Sequence, residues 1–97
     1  MIRAYFHAEA ERELDEAAVF YESRVPGLGK SFSGEVERTI RLLREYPDAG
    51  ALAGAKRRRV LVDRFPYFVA YERHDDFIII LAVGHQKRRP GYWRNRR

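Results

Sequence analysis

Cysteine is absent from this chain, which excludes disulfides and thiolate metal sites. The histidines His7, His74 and His85 have a spacing that matches no metal-binding pattern. No glycine-rich nucleotide loop, paired-carboxylate signature or nucleophile motif occurs, so no cofactor and no metal is expected. Met1 to Phe6 is too short for a leader or a span and is interrupted by Arg3. The expectation is a soluble, cytoplasmic protein with no membrane partner. Acidic residues are the minority: 19 Lys and Arg face 14 Asp and Glu, a net charge of +5. That balance favours a polyanion or an acidic protein as partner and leaves the fold open.

What is present organises around Phe77-Ile78-Ile79-Ile80-Leu81-Ala82-Val83-Gly84-His85. A short apolar run rich in β-branched residues reads as a strand buried on both faces. Strict alternation would put Phe77, Ile79, Leu81, Val83 and His85 on one face and Ile78, Ile80, Ala82 and Gly84 on the other.

The rest of the chain gives this strand its neighbours. Its 97 residues suit one domain, residues 1–97. Ile2 to Phe6 reads as a first strand. Ala8 to Arg24 reads as a helix with Ala10, Leu14, Ala17, Ala18 and Tyr21 along one stripe, and carboxylates crowd its first half. Pro26 to Gly29 breaks it. Lys30 to Tyr46 reads as a second helix with the stripe Phe32, Val36, Ile40 and Leu43. Gly34 inside it is expected to mark close approach to the first helix. A short connection makes the two an antiparallel hairpin. Ala51 to Ala55 reads as a small-residue loop, and Lys56 to Val62 as a strand with a basic entrance. Tyr67 to Arg73 is the next strand, and the His74-Asp75-Asp76 turn leads into the apolar run. The expected class is α+β: an N-terminal strand, an antiparallel helix hairpin, then a three-stranded antiparallel meander packed on the helices. The sheet face away from the helices is expected to be open and available to a partner.

Two features carry possible chemistry. The cluster Lys56-Arg57-Arg58-Arg59, with Arg64 and Arg73 on neighbouring segments, is either a solvated edge that resists aggregation or a surface for phosphates or an acidic segment. The tail from His85 to Arg97 interleaves Lys87, Arg88, Arg89, Arg94, Arg96 and Arg97 with Tyr92 and Trp93. Such a mixture grips nucleic acid or anchors a protein interface. For Trp93 alone, folding back onto the core is the stronger reading. The residues assigned to partner binding are Arg57, Arg58, Arg73, Lys87, Arg88 and Trp93.

The order of these pieces resembles the RelE/ParE superfamily of type II toxin–antitoxin toxins, in its plasmid-stabilisation or ParE-like branch. The matching features are Gly27 and Gly29 between the helices, Phe65-Pro66-Tyr67 opening a strand, and Tyr71 closing it. Ala82-Val83 followed by His85, and the ending Arg88-Arg89-Pro90-Gly91-Tyr92-Trp93, complete the set. The resemblance implies a toxin silenced by a cognate acidic antitoxin in a hetero-oligomer. ParE-like members poison DNA gyrase without being enzymes; RelE-like members are metal-independent endonucleases of ribosome-bound mRNA. Lining up the strand from Tyr67 to Tyr71 puts Arg59 and Tyr92 where the nuclease branch has a lysine and a terminal tyrosine. Leu61, Phe68 and Gln86 fall where it has cations. The resemblance therefore implies gyrase inhibition first. The nuclease alternative would use Arg59, Arg64, His85 and Tyr92, and a third possibility is a degenerate, non-toxic member that still binds its antitoxin.

Overall fold

A computed structural model describes all 97 residues. The elements are β1 (Arg3–Phe6), α1 (Ala8–Arg24), α2 (Leu28–Glu45), β2 (Ala51–Leu52), β3 (Arg57–Leu61), β4 (Tyr67–Arg73) and β5 (Phe77–His85). They form a five-stranded sheet in the order β1-β5-β4-β3-β2, with α1 and α2 on one face. The apolar run is thus interior, between β1 and β4. β3, β4 and β5 are the antiparallel meander, whereas β1 runs parallel to β5, with Arg3 opposite Phe77 and Phe6 opposite Ile80. A parallel neighbour needs a long connection, and here the helix hairpin together with β2, β3 and β4 separates the two strands in the chain.

Local chemistry explains the helix ends. His7 caps α1, its Nδ1 accepting the Glu9 N–H at 3.1 Å. The second helix starts at Leu28, before the expected Lys30, because Gly27 turns the chain at φ 88° and the Glu22 carboxylate accepts the N–H groups of Gly27 and Gly29. Orphan donors at a helix start are thereby satisfied. The close helix approach is at Gly29, not Gly34. A Cβ at Gly29 would lie 2.4 Å from the Ala18 carbonyl oxygen, while one at Gly34 would meet nothing within 4 Å.

The main core packs Phe32, Val36, Ile40 and Leu43 of α2 and Ala10 and Ala17 of α1 against Val69, Tyr71, Ile78, Ile80 and Val83. Tyr71 is fully buried, and its hydroxyl donates to the Pro47 carbonyl at 2.6 Å and accepts the Gly50 N–H at 3.0 Å. It ties the chain after α2 to the sheet.

Two expectations change. Ala51 and Leu52 are not loop but a two-residue edge strand, pairing with Arg59 and Arg58. Strict alternation in β5 also fails: Tyr71 faces Ile80 and Ala70 faces Ala82, so Leu81 is an extra residue in the ladder. Such a bulge moves everything beyond it by one residue and so exchanges the faces. Val83 joins Ile78 and Ile80 on the helix side, and Leu81 and Ala82 both pack in the outer cluster. The outer face is not open. Trp93, 1% exposed, lies on it with Phe68, Ala70, Leu81 and Ala82. The tail supplies the second layer that the strand's outer apolar side requires.

Candidate functional site

The tail after β5 folds through successive turns, with Arg88 N–H bonded to His85 O, Tyr92 N–H to Arg89 O and Arg96 N–H to Trp93 O. Three features hold it down. Trp93 fills the outer cluster. The Tyr92 hydroxyl lies over Gly84, where a Cβ would come within 2.4 Å of it, so only glycine admits the ring there. Arg57 reaches across from β3, bonding Glu72 Oε2 at 3.2 Å and the backbone oxygens of Arg94 and Arg96.

Glu13 of α1 is the polar hub. Its side chain, 10% exposed, accepts the Tyr92 hydroxyl at 2.7 Å, the Arg96 guanidinium at 2.8 and 3.1 Å, and the Val83 N–H at 3.0 Å. Arg96 also donates to the Leu81 carbonyl at 3.0 Å. β1 stops pairing with β5 at Ile80, apart from the His7 N–H bonded to Ile80 O. Beyond that point the ion pair takes the β5 edge groups that a neighbouring strand would have bonded, which would otherwise be left bare. Burial, then the hydrogen bond and charge of Glu13, push the Tyr92 hydroxyl far above the ordinary tyrosine range. The same hydrogen bond raises the Arg96 pKa.

The residues expected to cooperate in a nuclease lie apart. Arg59 is on the outer face with its guanidinium 4.0 Å above the Phe68 ring, and Phe68 and Tyr92 meet edge to face at 6.5 Å. Arg64 stands in the β3–β4 turn at φ 70° and pairs with the buried Glu35 of α2 at 3.2 Å. His85 lies across the strand from the Tyr92 ring, packed against Tyr67 at 5.2 Å, with Nδ1 accepting the Lys87 N–H. Arg59 and Tyr92 are brought together through Phe68; Arg64 and His85 do not join them.

Among the expected partner contacts, Arg57, Arg58 and Arg73 spend their guanidinium groups inside the molecule. Arg58 holds the carbonyls of Asp48 and Gly50, and Arg73 holds the Asp48 carboxylate. Trp93 is core. Lys87 is exposed and in no ion pair, and Arg88 lies half-exposed over the Tyr92 ring at 3.9 Å. Sequence reasoning missed Glu13, which reads as one more helix-start carboxylate. Its partners are 70 to 83 residues away, so no local pattern marks it. No three His, Asp or Glu side chains converge in a metal-binding group.

The family described as "ParE toxin of type II toxin-antitoxin system, parDE" matches residues 4–90. The chain belongs to the ParE toxin family. Among solved structures, a chain described as "Chromosomal ParDE TA system from P. aeruginosa" superposes with a TM-score of 0.75 at 17% identity, covering 88% of this chain and 96% of that one. The search of curated proteins returns no match. The ParE match ends at residue 90, before Tyr92, Trp93 and Arg96. The residues that seal the outer face of this ParE-family toxin therefore lie past the matched segment. No helix is long and apolar enough to cross a membrane.

Proposed function

We propose that this toxin acts by binding DNA gyrase rather than by cutting RNA, and that a cognate acidic antitoxin neutralises it. The observation that carries this reading is Phe68. It occupies the position where the nuclease branch has its central cation, it is 2% exposed, and the Arg59 guanidinium sits 4.0 Å above its ring. The strand itself supplies no cation at that position, the neighbouring Arg59 being engaged with the Phe68 ring, and losing one such group costs a few kcal/mol of transition-state binding. Tyr92, which matches the terminal tyrosine of that branch, donates its hydroxyl hydrogen bond to Glu13 and is held protonated, so it is not free to act as an acid.

The antitoxin reading is supported by exposed apolar surface on the other side of the molecule. β2 ends opposite Arg59, so Val60 and Leu61 are a free edge. Beside it lies a cleft of about 330 Å³ in which Leu42, Val60 and Leu61 stand among the polar Glu35, Arg38 and Asp63. A segment of the antitoxin would add to that edge and bury an apolar side chain in the cleft, folding as it binds.

The test is supercoiling by purified gyrase with the purified toxin, alongside translation of a reporter message. Inhibited supercoiling with intact message is the expected result, unchanged in His85→Ala. Rapid message cleavage that His85→Ala or Tyr92→Phe abolishes, with gyrase unaffected, would overturn the proposal.

A further inference from the structure

The tail from residue 86 to 97 contains Lys87, Arg88, Arg89, Arg94, Arg96 and Arg97 and no acidic residue. Arg96 is consumed by Glu13, and Arg88 lies over Tyr92. Lys87, Arg89, Arg94 and Arg97 are exposed and enter no ion pair. Lys56, in the turn before β3, is likewise exposed and unpaired, and with Arg94 it borders a cavity of about 470 Å³ between that turn and the tail. Two carboxylates beside these cations are already engaged, Glu13 by Arg96 and Glu72 by Arg57 and the His74 ring, while Glu16 of α1 borders the cleft of Arg88 and enters no ion pair. The tail itself therefore carries an excess of positive charge. Trp93, Tyr92 and Arg57 fix the backbone that carries it, so the cations stand on a docked frame.

We infer that this tail face binds the phosphodiester backbone of nucleic acid without reading sequence. The alternative occupant of a basic face is an acidic peptide. Folded peptide interfaces need apolar anchors at their centre, with charge at the rim. The large exposed apolar residues include Val19, Phe20, Leu42, Tyr46, Leu52 and Leu61, and none lies in the tail; Phe20 borders a cleft with Arg88 and not with the unpaired cations. Charge without apolar anchors suits a polyanion whose binding is driven by counterion release. This inference does not rest on the gyrase reading, since a toxin can inhibit gyrase with or without touching nucleic acid.

The test is fluorescence anisotropy of the intact toxin with a short labelled DNA duplex, between about 50 and 200 mM salt. The triple variant Lys87→Glu, Arg89→Glu, Arg97→Glu should bind at least tenfold more weakly. Its log–log salt slope should be shallower by about 2–3, as expected for three lost phosphate contacts. A control with the same charge change on unpaired, exposed residues elsewhere, Arg3→Glu, Lys30→Glu and Arg41→Glu, should stay within about threefold of the parent, because screened charges act locally. Circular dichroism checks that both variants fold. RNA of equal length binding as well as DNA supports the phosphate assignment and shows that the sugar is ignored; a preference for duplex DNA supports it and names the source. Equal loss in the control, a flat salt dependence, or an oligo-glutamate of equal charge binding as tightly as DNA would overturn it.

Discussion

Glu13 of α1 and Arg96 of the tail, 83 residues apart, bond through two oxygens and two nitrogens at 2.8 and 3.1 Å on the unpaired edge of β5. Glu13 takes the Val83 N–H and Arg96 the Leu81 carbonyl, so together they do the work of one peptide group of a missing strand. Their side chains are 10% and 14% exposed, which separates this pair from a solvated surface bridge.

Breaking one side of it strands the other. Arg96→Ala is expected to cost about 2–3 kcal/mol, since it leaves a largely buried carboxylate with one fewer donor. A double-mutant cycle with Glu13→Ala, read by urea unfolding, should give a coupling of about 1–2 kcal/mol. Additivity within about 0.3 kcal/mol would show that the two residues do not act as a unit.

Trp93 is the only tryptophan and is 1% exposed, so it reports on its own environment. Trp93→Ala should destabilise the fold by about 3–5 kcal/mol. Emission of the native chain should be blue-shifted and move red in the same transition that unfolds the helices. A truncation at Tyr92 would therefore lose toxicity by unfolding, and charge reversal at Lys87, Arg89 and Arg97 is the informative alternative. If the indole emission shifts well before the helices melt, the tail is a separate unit.

The two glycines near the start of α2 should respond oppositely to alanine. Gly34→Ala adds a methyl group where nothing lies within 4 Å and should raise stability by up to about 1 kcal/mol. Gly29→Ala drives its Cβ against the Ala18 carbonyl and should lower stability by about 1–3 kcal/mol. Thermal unfolding of both variants checks the pair, and a stabilised Gly29→Ala would contradict the helix contact.

Glu72 links acid stability to the tail's anchor. Burial alone would raise its pKa, but hydrogen bonds from His74 and Arg57 outweigh burial and hold it below the ordinary 4.5. A depressed carboxylate contributes stability in full above its unfolded value, and that contribution is lost as pH falls through the folded one. The parent should therefore weaken more steeply than Glu72→Gln as the pH drops below 4.5. Parallel acid profiles would mean that Glu72 gains nothing from its partners.

Much of the architecture was legible in local pattern. The stripes of α1 and α2, the turn before β5 and the isoleucine run each follow from neighbours within a few residues, where helix and strand periodicities operate. That is why the meander, the helix hairpin and the interior place of β5 could be read without coordinates. Alternation failed at Leu81 because a bulge is decided by the partner strand, and one extra residue there sends Val83 to the opposite face.

The chain by itself determined the double-sided apolar strand, the excess of cations at its end and every element except the two-residue β2. Tertiary structure decided what those features do. It folded Trp93 onto the outer sheet face, hydrogen-bonded the Tyr92 hydroxyl to Glu13, turned Arg57, Arg58 and Arg73 inward, and left Lys87, Arg89 and Arg97 facing water. The reason is range: propensity acts between residues a turn apart, whereas the pairing of a charge is settled by whichever distant group the fold carries to within about 3 Å of it.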